Sequence, residues 1–488
     1  MIRDTPFMQK GLRLIVPAAI LVFAASYLYV EAFNLGYRAV LLFFGGILFF
    51  LGCALFAGEL RQFLVFAALF GIPLQFGYHV IHIELVDTEV QPFASGITVD
   101  SVDVILLMLY AHWALLVSRT KRLSGITLGN PVGVLLLAWI AFCMFSGLWL
   151  SKALEYSIFE VVVLLKGFVL YFYLVNNTKT KEDLEVIVAG LFAGAVAQAV
   201  YIIGQYVTGL NYTIHGILQT YVGPEGYRSV GFFGSPDSAS AMMSLVLPIL
   251  LCLLLVNRSR PLRLFAVISI VLIIIAMMCT KVRATASAVV LSTMLVVVVS
   301  YTRRWIALRT MIVFAVVGII VLTILVPLSY ERFAKGTWGE DRLPLAFTAV
   351  NMFWDHWITG VGINNYHVAF QSYLPPEHRY SWAYVVHVEY LYRLAETGIL
   401  GFLLYYGMIL AMMVKLWRGL KASDPLVFIT ALGIFAGMVG SFVHRFFSAY
   451  HYVNLYIFFC ALLAVANIVE EYRNNLVSEK NTGGVTRK

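Results

Sequence analysis

The chain has 488 residues, of which 61% are hydrophobic and 12% are charged, and its mean hydropathy is +0.86. A soluble globular chain has about 45–50% apolar and about 25% charged residues, so the composition excludes a soluble protein and predicts an integral membrane protein. The net charge of +8 comes from short basic runs between apolar segments and does not indicate a nucleic-acid partner. The cysteines all lie in apolar segments without metal-ligand spacing, which predicts neither a disulfide framework nor a metal site.

Apolar segments of about 20 residues, the length at which a helix crosses a bilayer, follow one another along the chain. We therefore predict an all-α fold, a polytopic transmembrane helical bundle of about 12–14 spans. No cleavage pattern follows Met1–Lys10, which predicts an uncleaved first helix instead of a signal peptide. The candidate spans are Leu12–Tyr29, Tyr37–Ala57, Phe63–Ile81, Ser101–Val117, Pro131–Leu150, Ile158–Val175, Leu184–Val207, Ser238–Val256, Leu262–Cys279, Ala284–Ser300, Leu308–Leu328, Tyr390–Trp417, Leu426–Val443 and Tyr452–Val469.

Basic residues are enriched in cytoplasmic connections, and this rule gives the orientation. With both termini in the cytoplasm, nearly every basic run falls on the inner side. These runs are Ser118–Arg122, Asn176–Lys181, Asn257–Arg263, Thr302–Arg309 and Lys415–Lys421. We divide the chain into N-terminal helices (1–208), a core (209–417) that contains a long loop on the outer side (330–386), and C-terminal helices with a cytoplasmic tail (418–488). A second set of cations lies at the outer face: Arg228, Lys281, Arg283, Arg332, Arg342, Arg379 and Arg445.

The loop 330–386 is unusually long for a compact membrane protein, and such loops are either functional or disordered. Its many aromatic residues argue against disorder, so we expect a folded loop that carries short helices and part of an active site. The aromatic side chains predict either sugar-stacking faces or a belt at the membrane interface. They are Trp354, Trp357, Tyr366, Tyr373, Tyr380, Trp382 and Tyr384. The loop histidines His356, His367 and His378 show no repeated ligand spacing and predict no metal site.

Two outward arginines lie beside predicted spans. Arg283 occupies a connection of a few residues, and an arginine at membrane depth usually faces a protein interior or a polar cavity. The alternative interpretation is an interfacial arginine whose side chain reaches lipid phosphate. Arg228 lies in a Gly-rich loop before Pro236 and Asp237, which are typical of a helix start. Guanidinium and helix N-terminus together predict an anion site, and a structural turn with a solvated arginine is the alternative.

His387 precedes the helical run HVEYLYRLAETGILG. A histidine at the membrane surface can exchange a proton near neutral pH, whereas the alternative interpretation is a packing residue. Glu389 and Glu396 follow on the same helix, and Gly398 and Gly401 form a small-residue patch suited to close helix packing.

Four runs of the sequence resemble, in this order, the O-antigen ligase and polysaccharide polymerase superfamily of bacterial envelopes. They are RSVGFFGSPDSASAMMSLVLP, TKVRATASAVVLS, DRLPLAF…HWITGVGINNYHVAF and HVEYLYRLAETGILGFLLYY. The resemblance extends from about Arg228 to Tyr406, and FEVVVLLKGFVLYFYLVNNTKTKEDL upstream is similar too. It implies a metal-independent, inverting membrane glycosyltransferase without a cofactor, which acts at the periplasmic face of the bacterial inner membrane. The donor is a glycan on undecaprenyl diphosphate, and the acceptor is a hydroxyl.

The resemblance also implies roles for single residues. Arg228 and Arg283 match the arginines that hold the diphosphate, and His387 matches the histidine near the acceptor hydroxyl. Arg342 is expected to line the same cleft, with Glu389 as a substitute base. Loop and helix packing is expected from Gly360, Gly362, Glu396, Gly398 and Gly401. Two departures weaken the match of Arg283 most: Asp237 replaces a common asparagine, and Thr280–Val282 replaces a Ser/Gly-rich segment.

Within this superfamily the extra N-terminal spans favour an O-antigen or exopolysaccharide polymerase, which extends a lipid-linked repeat unit. The alternative is an O-antigen ligase of lipopolysaccharide biosynthesis, which transfers the glycan to lipid A–core. The expected partners are the lipid-linked donor, a glycan or lipid A–core acceptor and the bilayer, with a flippase and a chain-length regulator as optional ones. A lipid-linked oligosaccharide transporter is a remote alternative, because mid-span charges are few and no internal repeat is visible. A purely structural scaffold would not explain the outward arginines.

Overall fold

The structure is a computed structural model of the chain. It describes residues 57–74, 77–83, 93–120, 125–209, 213–214, 217–218, 221–223, 226–257, 259–316, 318, 342–374, 385–448 and 453–482. The predicted spans Leu12–Tyr29 and Tyr37–Ala57 lie outside these residues except at Ala57, and Leu308–Leu328 lies mostly outside them.

The described part opens with a 3-10 turn (Ala57–Glu59), followed by a short helix, α1 (Leu60–Gly71), and a second 3-10 turn (Ile72–Leu74). Strand β1 (Gly77–His82) then pairs antiparallel with β2 (Gly96–Asp100). The prediction of a full span at Phe63–Ile81 is therefore wrong. Pro73 lacks a backbone N–H, and its ring disfavours a continuing α-helix, so the apolar run ends well short of the about 20 residues that a span needs.

The remaining helices are long or lie in the loop between long ones. Those before the loop 330–386 include α2 (Ser101–Thr120), α3 (Val132–Trp149), α4 (Leu154–Asn177), α5 (Lys181–Thr208), α6 (Pro236–Val256), α7 (Arg260–Thr280) and α8 (Arg283–Thr302). Residues 308–316, in the predicted span Leu308–Leu328, are helical as well. The loop carries α9 (Arg342–Asp355) and α10 (Tyr366–Tyr373), as predicted. After it come α11 (Glu389–Gly419), α12 (Pro425–His444) and α13 (Val453–Thr482). Between α5 and α6 lie two small hairpins: β3 (Thr213–Ile214) with β4 (Ile217–Leu218), and β5 (Tyr221–Gly223) with β6 (Gly226–Arg228).

Ten helices among the described residues are long and apolar enough to cross a membrane, namely α2 to α8 and α11 to α13. Each coincides with a predicted span, so the polytopic helical bundle is confirmed. The spans α6, α12 and α13 are mostly buried inside the protein, whereas α2, α7 and α8 are largely exposed. Among the described residues, the buried spans therefore form the centre of the bundle, and the exposed spans lie at its outside.

Small residues allow the central helices to approach closely, as is common between helices in membranes. Gly433 and Gly437 of α12 face α6. A Cβ at Gly433 would lie 2.4 Å from the Cα of Ile249, and one at Gly437 would lie 2.8 Å from the carbonyl oxygen of Leu245. At these two glycines the backbones of α12 and α6 are therefore in direct contact in the core of the bundle.

Candidate active site

The first part of the candidate site lies where β6 meets the turn between α7 and α8. The Nε of Arg228 donates a hydrogen bond to the carbonyl of Thr280 (2.9 Å). The next residue, Ser229, donates its backbone N–H to the carbonyl of Cys279 (3.2 Å). Arg283 begins α8 three residues after Thr280, and its side chain is exposed. The structure thus brings the segments that carry the two predicted diphosphate-binding arginines together.

The second part of the site is the start of α6. Pro236 occupies the first turn with its fixed φ, and Asp237 follows it as the acidic residue of that turn. Asp237 is half-buried and lies within electrostatic reach of Arg228 and Arg342. The negative carboxylate at a positive helix end reduces the repulsion between the two guanidinium groups. Arg342, the first residue of α9, is thereby placed in the same neighbourhood as Arg228.

The third part is His387, which precedes α11 and lies within electrostatic reach of Arg342. Burial lowers the pKa of His387, and the positive charge of Arg342 lowers it further, to about 4. Burial also lowers the pKa of Arg342, and the carboxylate of Asp237 opposes that shift. His387 is therefore neutral at neutral pH, with one ring nitrogen able to accept a proton. We call Arg228, Asp237, Arg342 and His387, together with Arg283 at the adjacent start of α8, the arginine–histidine site.

A separate ion-pair cluster lies inside the bundle next to this site. Its members are Glu160 of α4, Glu389, Arg393 and Glu396 of α11, and Arg445 at the end of α12. Arg393 contacts all three carboxylates: its Nε donates to Oε1 of Glu389 (3.0 Å), and its Nη1 lies 3.5 Å from Glu160 and 3.5 Å from Glu396.

The side chains of the cluster are buried, and they connect three helices. Arg393 is 5% exposed and Arg445 is 3% exposed, and the carboxylates of the cluster are fully buried. The ring of Tyr405 lies between the two guanidinium groups, with centroid distances of 5.2 Å to Arg393 and 5.8 Å to Arg445. Charged groups persist in such an interior only when they are paired, so this cluster links α4, α11 and α12.

Two predicted site residues belong to this cluster. The carboxylate of Glu389 accepts a hydrogen bond from Arg393 and lies 3.5 Å from Arg445, which leaves it poorly placed to accept a substrate proton. Glu396 accepts a hydrogen bond from the hydroxyl of Tyr392 (2.8 Å) one turn earlier. The role of Glu389 as a substitute base remains a prediction, and its contacts are those of an ion-pair partner.

The glycines of the loop and of α11 meet at a break in that helix. Gly398 has φ 60° and ψ −169°, so α11 consists of two helical pieces around this residue. The freed N–H groups of Ile399 and Leu400 donate to the carbonyls of Trp357 (2.8 Å) and Ile358 (3.2 Å). A segment of the loop thus takes the place of the missing helical turn and satisfies the backbone groups that would otherwise be unpaired in the membrane.

Backbone carbonyls of α11 just before this break accept hydrogen bonds from the loop. Gly362 donates its N–H to the carbonyl of Glu396 (3.1 Å), and Val361 donates to that of Ala395 (3.1 Å). Gly360 has φ +72°, and a Cβ there would lie 2.2 Å from the carbonyl oxygen of Glu396. Only glycine allows this approach at this φ. The loop is thereby fixed to α11 two turns after His387.

Two asparagines fix the other side of the same loop segment. Asn364 accepts a hydrogen bond from the N–H of Phe93 (2.8 Å) and donates to the carbonyls of Ala94 (2.9 Å) and Tyr156 (2.8 Å). Asn365 accepts from the N–H of Ala153 (2.8 Å) and donates to its carbonyl and to the hydroxyl of Ser157. The loop is therefore folded against the start of α4, and it holds α9 and α10 beside His387.

The structure places the predicted residues in three groups, with Gly401 apart from them. Arg228, Arg283, Arg342 and His387 belong to the arginine–histidine site, Glu389 and Glu396 to the ion-pair cluster, and Gly360, Gly362 and Gly398 to the break in α11. Gly401 packs on α3, where a Cβ would lie 2.6 Å from the ring of Phe142. Within the described residues, no group of His, Cys, Asp or Glu side chains could hold a metal ion.

Sequence reasoning missed Glu160, Arg393 and the two asparagines. Arg393 lies four residues after Glu389 and three before Glu396, a spacing that brings all three side chains to one face of a helix. Glu160 is a charge within an apolar span, which is itself a signal of an internal partner. These two signals could have indicated the cluster from the sequence.

The fold and the site together define a polytopic membrane protein with a folded loop and a group of arginines beside a neutral histidine. Residues 268–406 match the family model described as O-antigen ligase. This match confirms the resemblance to the O-antigen ligase and polymerase superfamily over the segment that contains Arg283, Arg342, His387 and the broken helix. A search of curated proteins finds no match to the chain.

Proposed function

We propose that this protein is a membrane glycosyltransferase that moves a glycan from undecaprenyl diphosphate to an acceptor hydroxyl at the periplasmic face. The observation that carries the proposal is the arginine–histidine site, in which several cations and a neutral histidine lie together beside a folded loop. The match to the O-antigen ligase family covers most of this site and supports a lipid-linked glycan as the donor.

The proposed reaction is a direct displacement. The acceptor oxygen attacks the anomeric carbon of the donor, the bond from that carbon to the diphosphate oxygen breaks, and undecaprenyl diphosphate leaves. Negative charge grows on the leaving diphosphate, and fixed cations in a low-dielectric cleft stabilise such charge strongly. Arg228, Arg283 and Arg342 supply these cations, because guanidinium groups bind phosphate oxygens in a bidentate manner. They serve here in place of a divalent cation, and the product is expected with inverted configuration.

His387 is the proposed acceptor of the proton from the attacking hydroxyl. A positioned base of this kind contributes about 10²–10⁴-fold to a rate. Burial beside Arg342 holds the pKa of His387 at about 4, so the ring is neutral at neutral pH and can accept the proton as the bond forms. Burial, and to a smaller extent the cation that binds the diphosphate, thus keeps the base unprotonated.

The acceptor that we favour is a second lipid-linked repeat unit, which makes the protein an O-antigen or exopolysaccharide polymerase. The two spans predicted at Leu12–Tyr29 and Tyr37–Ala57 would lengthen the chain beyond a minimal core, and this prediction from the sequence is the reason for the choice. The alternative acceptor is lipid A–core, which the description of the matching family, O-antigen ligase, favours.

A transfer assay in proteoliposomes tests the proposal. Purified protein would receive an undecaprenyl-diphosphate oligosaccharide with either lipid A–core or a second lipid-linked repeat unit, in the presence of EDTA. A ladder of lengthening products identifies a polymerase, and a single shift of lipid A–core identifies a ligase. We expect transfer to persist in EDTA and to be lost in His387→Ala. Full activity of His387→Ala would remove this residue as the base, and no reaction with either acceptor would overturn the substrate class.

A further inference from the structure

Two adjacent residues at the end of α12 contact the helix starts that carry, or directly follow, Arg283 and His387. The first is His444, the last residue of the helix, which is fully buried. Its Nε2 lies 3.4 Å from the hydroxyl of Thr285, and that hydroxyl donates to the hydroxyl of Ser240 (2.8 Å). Thr285 is two residues after Arg283 on α8, and Ser240 is three residues after Asp237 on α6. His444 therefore contacts the segment that carries the exposed arginine.

The second residue, Arg445, contacts the segment that carries the histidine. Its backbone carbonyl accepts a hydrogen bond from the N–H of Glu389 (2.9 Å), two residues after His387. Its guanidinium lies 3.5 Å from the carboxylate of Glu389 and donates to the hydroxyl of Tyr405 (3.1 Å). Tyr390 adds a further bond from its hydroxyl to the carbonyl of Phe442 (2.8 Å). The start of α11 is therefore bound to the end of α12 through both backbone and side chains.

We propose that His444 and Arg445 are positioning residues, which set the distance between the arginine that binds the diphosphate and the histidine that accepts the proton. His444 fixes the start of α8 and Arg445 fixes the start of α11, and the two are covalently adjacent. The inference rests on the proposed function for the roles of Arg283 and His387. The link between the two helix starts rests on the contacts alone.

The physical reason is that transfer between bound reactants depends steeply on their placement. A displacement of about 1 Å costs about 10²-fold in rate. Arg283 and His387 lie on different helices that are far apart in sequence, so their separation depends on tertiary contacts. Contacts in a buried, low-dielectric interior are strong and rigid when they are satisfied. The contacts of Arg445 meet both conditions, whereas His444 is fully buried and contacts Thr285 through Nε2 while its Nδ1 has no hydrogen-bond partner among the described residues.

Three variants test this inference, with Lys415→Gln as a matched control. Lys415 is buried on the same helix α11 and forms an ion pair with Glu470 at the opposite end from His387. We expect Arg445→Gln and His444→Leu each to lower kcat about 10²-fold with little change in the KM for the donor. Arg445→Lys keeps the charge and should recover part of the lost kcat. Lys415→Gln should keep the kcat of the unchanged protein.

Hydrogen–deuterium exchange supplies a readout that needs no transfer activity. Arg445→Gln should speed exchange of the amides in 387–393, and His444→Leu should speed it in 283–289. Unchanged exchange in both segments would overturn the link between the helices, and faster exchange with an unchanged kcat would overturn the positioning role. Absence of transfer by the unsubstituted protein would instead overturn the proposed function, while the exchange experiment still decides the link.

Discussion

The arginine–histidine site and the ion-pair cluster both contain arginines near the start of α11, but they differ in burial and partners. Arg393 and Arg445 are almost fully buried and lie within 3.5 Å of carboxylates from α4 and α11. Arg228 and Arg342 are half-buried, and the carboxylate of Asp237 lies within electrostatic reach of both. An arginine whose charge is neutralised in a dry interior holds helices together, whereas one that stays accessible at a helix end can bind an incoming anion.

The largest effect that this comparison predicts is on stability. Arg393→Ala removes the guanidinium that contacts three buried carboxylates and leaves them without that charge. Loss of one partner from a buried ion pair costs about 3–5 kcal/mol, so we expect poor accumulation in the membrane and a much lower melting temperature in detergent. Arg418→Ala is the control, because Arg418 pairs with Glu470 from a largely exposed position at the other end of α11. Equal stability of both variants would contradict the structural role of the cluster.

The opposite outcome is expected in the arginine–histidine site. Arg228→Ala and Arg283→Ala should each abolish measurable transfer or lower kcat by about 10²–10³-fold, because a preorganised donor to the developing charge is lost. Both variants should insert and melt as the unsubstituted protein does. Transfer from the lipid-linked donor in proteoliposomes gives the rate, and fluorescence-detected melting gives the stability.

The matched control for this prediction is Arg303→Ala. Arg303 follows the last residue of α8, at the end opposite Arg283, and it is exposed. Its removal should leave transfer unchanged. Normal activity of both Arg228→Ala and Arg283→Ala would exclude these arginines from the active site. It would also contradict the distinction between arginines that bind the substrate and arginines that hold helices together.

The broken helix offers a test of intermediate size. Gly398→Ala would place a Cβ 2.4 Å from the backbone of Ile358 at a φ that disfavours side chains, so the loop segment must move away. Gly407→Ala on the same helix has open space around the added carbon. We expect the first change to lower the melting temperature and to open the loop 356–365 to proteolysis, and the second to have neither effect. Identical proteolysis patterns would mean that the loop does not depend on this contact.

Much of the fold could be predicted from the sequence because a membrane span leaves a local signal. Ten spans and the two loop helices follow from apolar length and from polar composition. The failure at Phe63–Ile81 is also local, since Pro73 lies within the apolar run and its effect outweighs the hydropathy of the residues after it. Hydropathy alone does not decide whether a proline bends a helix or ends it.

The sequence predicts which residues belong to the candidate site but not how they are arranged. Arg228, Arg342 and His387 were selected because charged or titratable residues beside spans on the outer side are uncommon and indicate a function. Glu389 and Glu396 were selected in the same way, yet they face Arg393 and Glu160. The partner Glu160 lies on α4, far away in sequence, and such pairing is set by tertiary packing. The break at Gly398 was hidden for the same reason, because the loop carbonyls that complete it are supplied from another segment.

The smallest expected effect concerns the pH dependence of transfer. If His387 is the base, the rate falls as pH decreases through its pKa, which burial and then Arg342 lower to about 4. Arg342→Gln removes the positive charge, so the pKa of His387 should rise, and the fall of the transfer rate at low pH should begin at a higher pH. Arg342→Lys keeps the charge, so its rate should fall at the same pH as that of the unsubstituted protein. Rates normalised to their plateau separate this shift from weaker donor binding.

Stability must be followed at each pH, because the same pKa shift links protonation to folding. The imidazole has an ordinary pKa of about 6.5 in the unfolded chain and about 4 in the folded protein. The unfolded chain therefore binds the proton more readily, and stability falls as pH decreases through the range between these values. Arg342→Gln raises the folded-state pKa of His387 and so brings it closer to the unfolded-state pKa. The stability of this variant should therefore depend less on pH than that of the unsubstituted protein. If the acid side of the pH–rate profile is the same in Arg342→Gln as in the unsubstituted protein, and the variant stays folded over the whole range, then Arg342 does not affect the pKa of His387. Burial alone would then account for the low pKa.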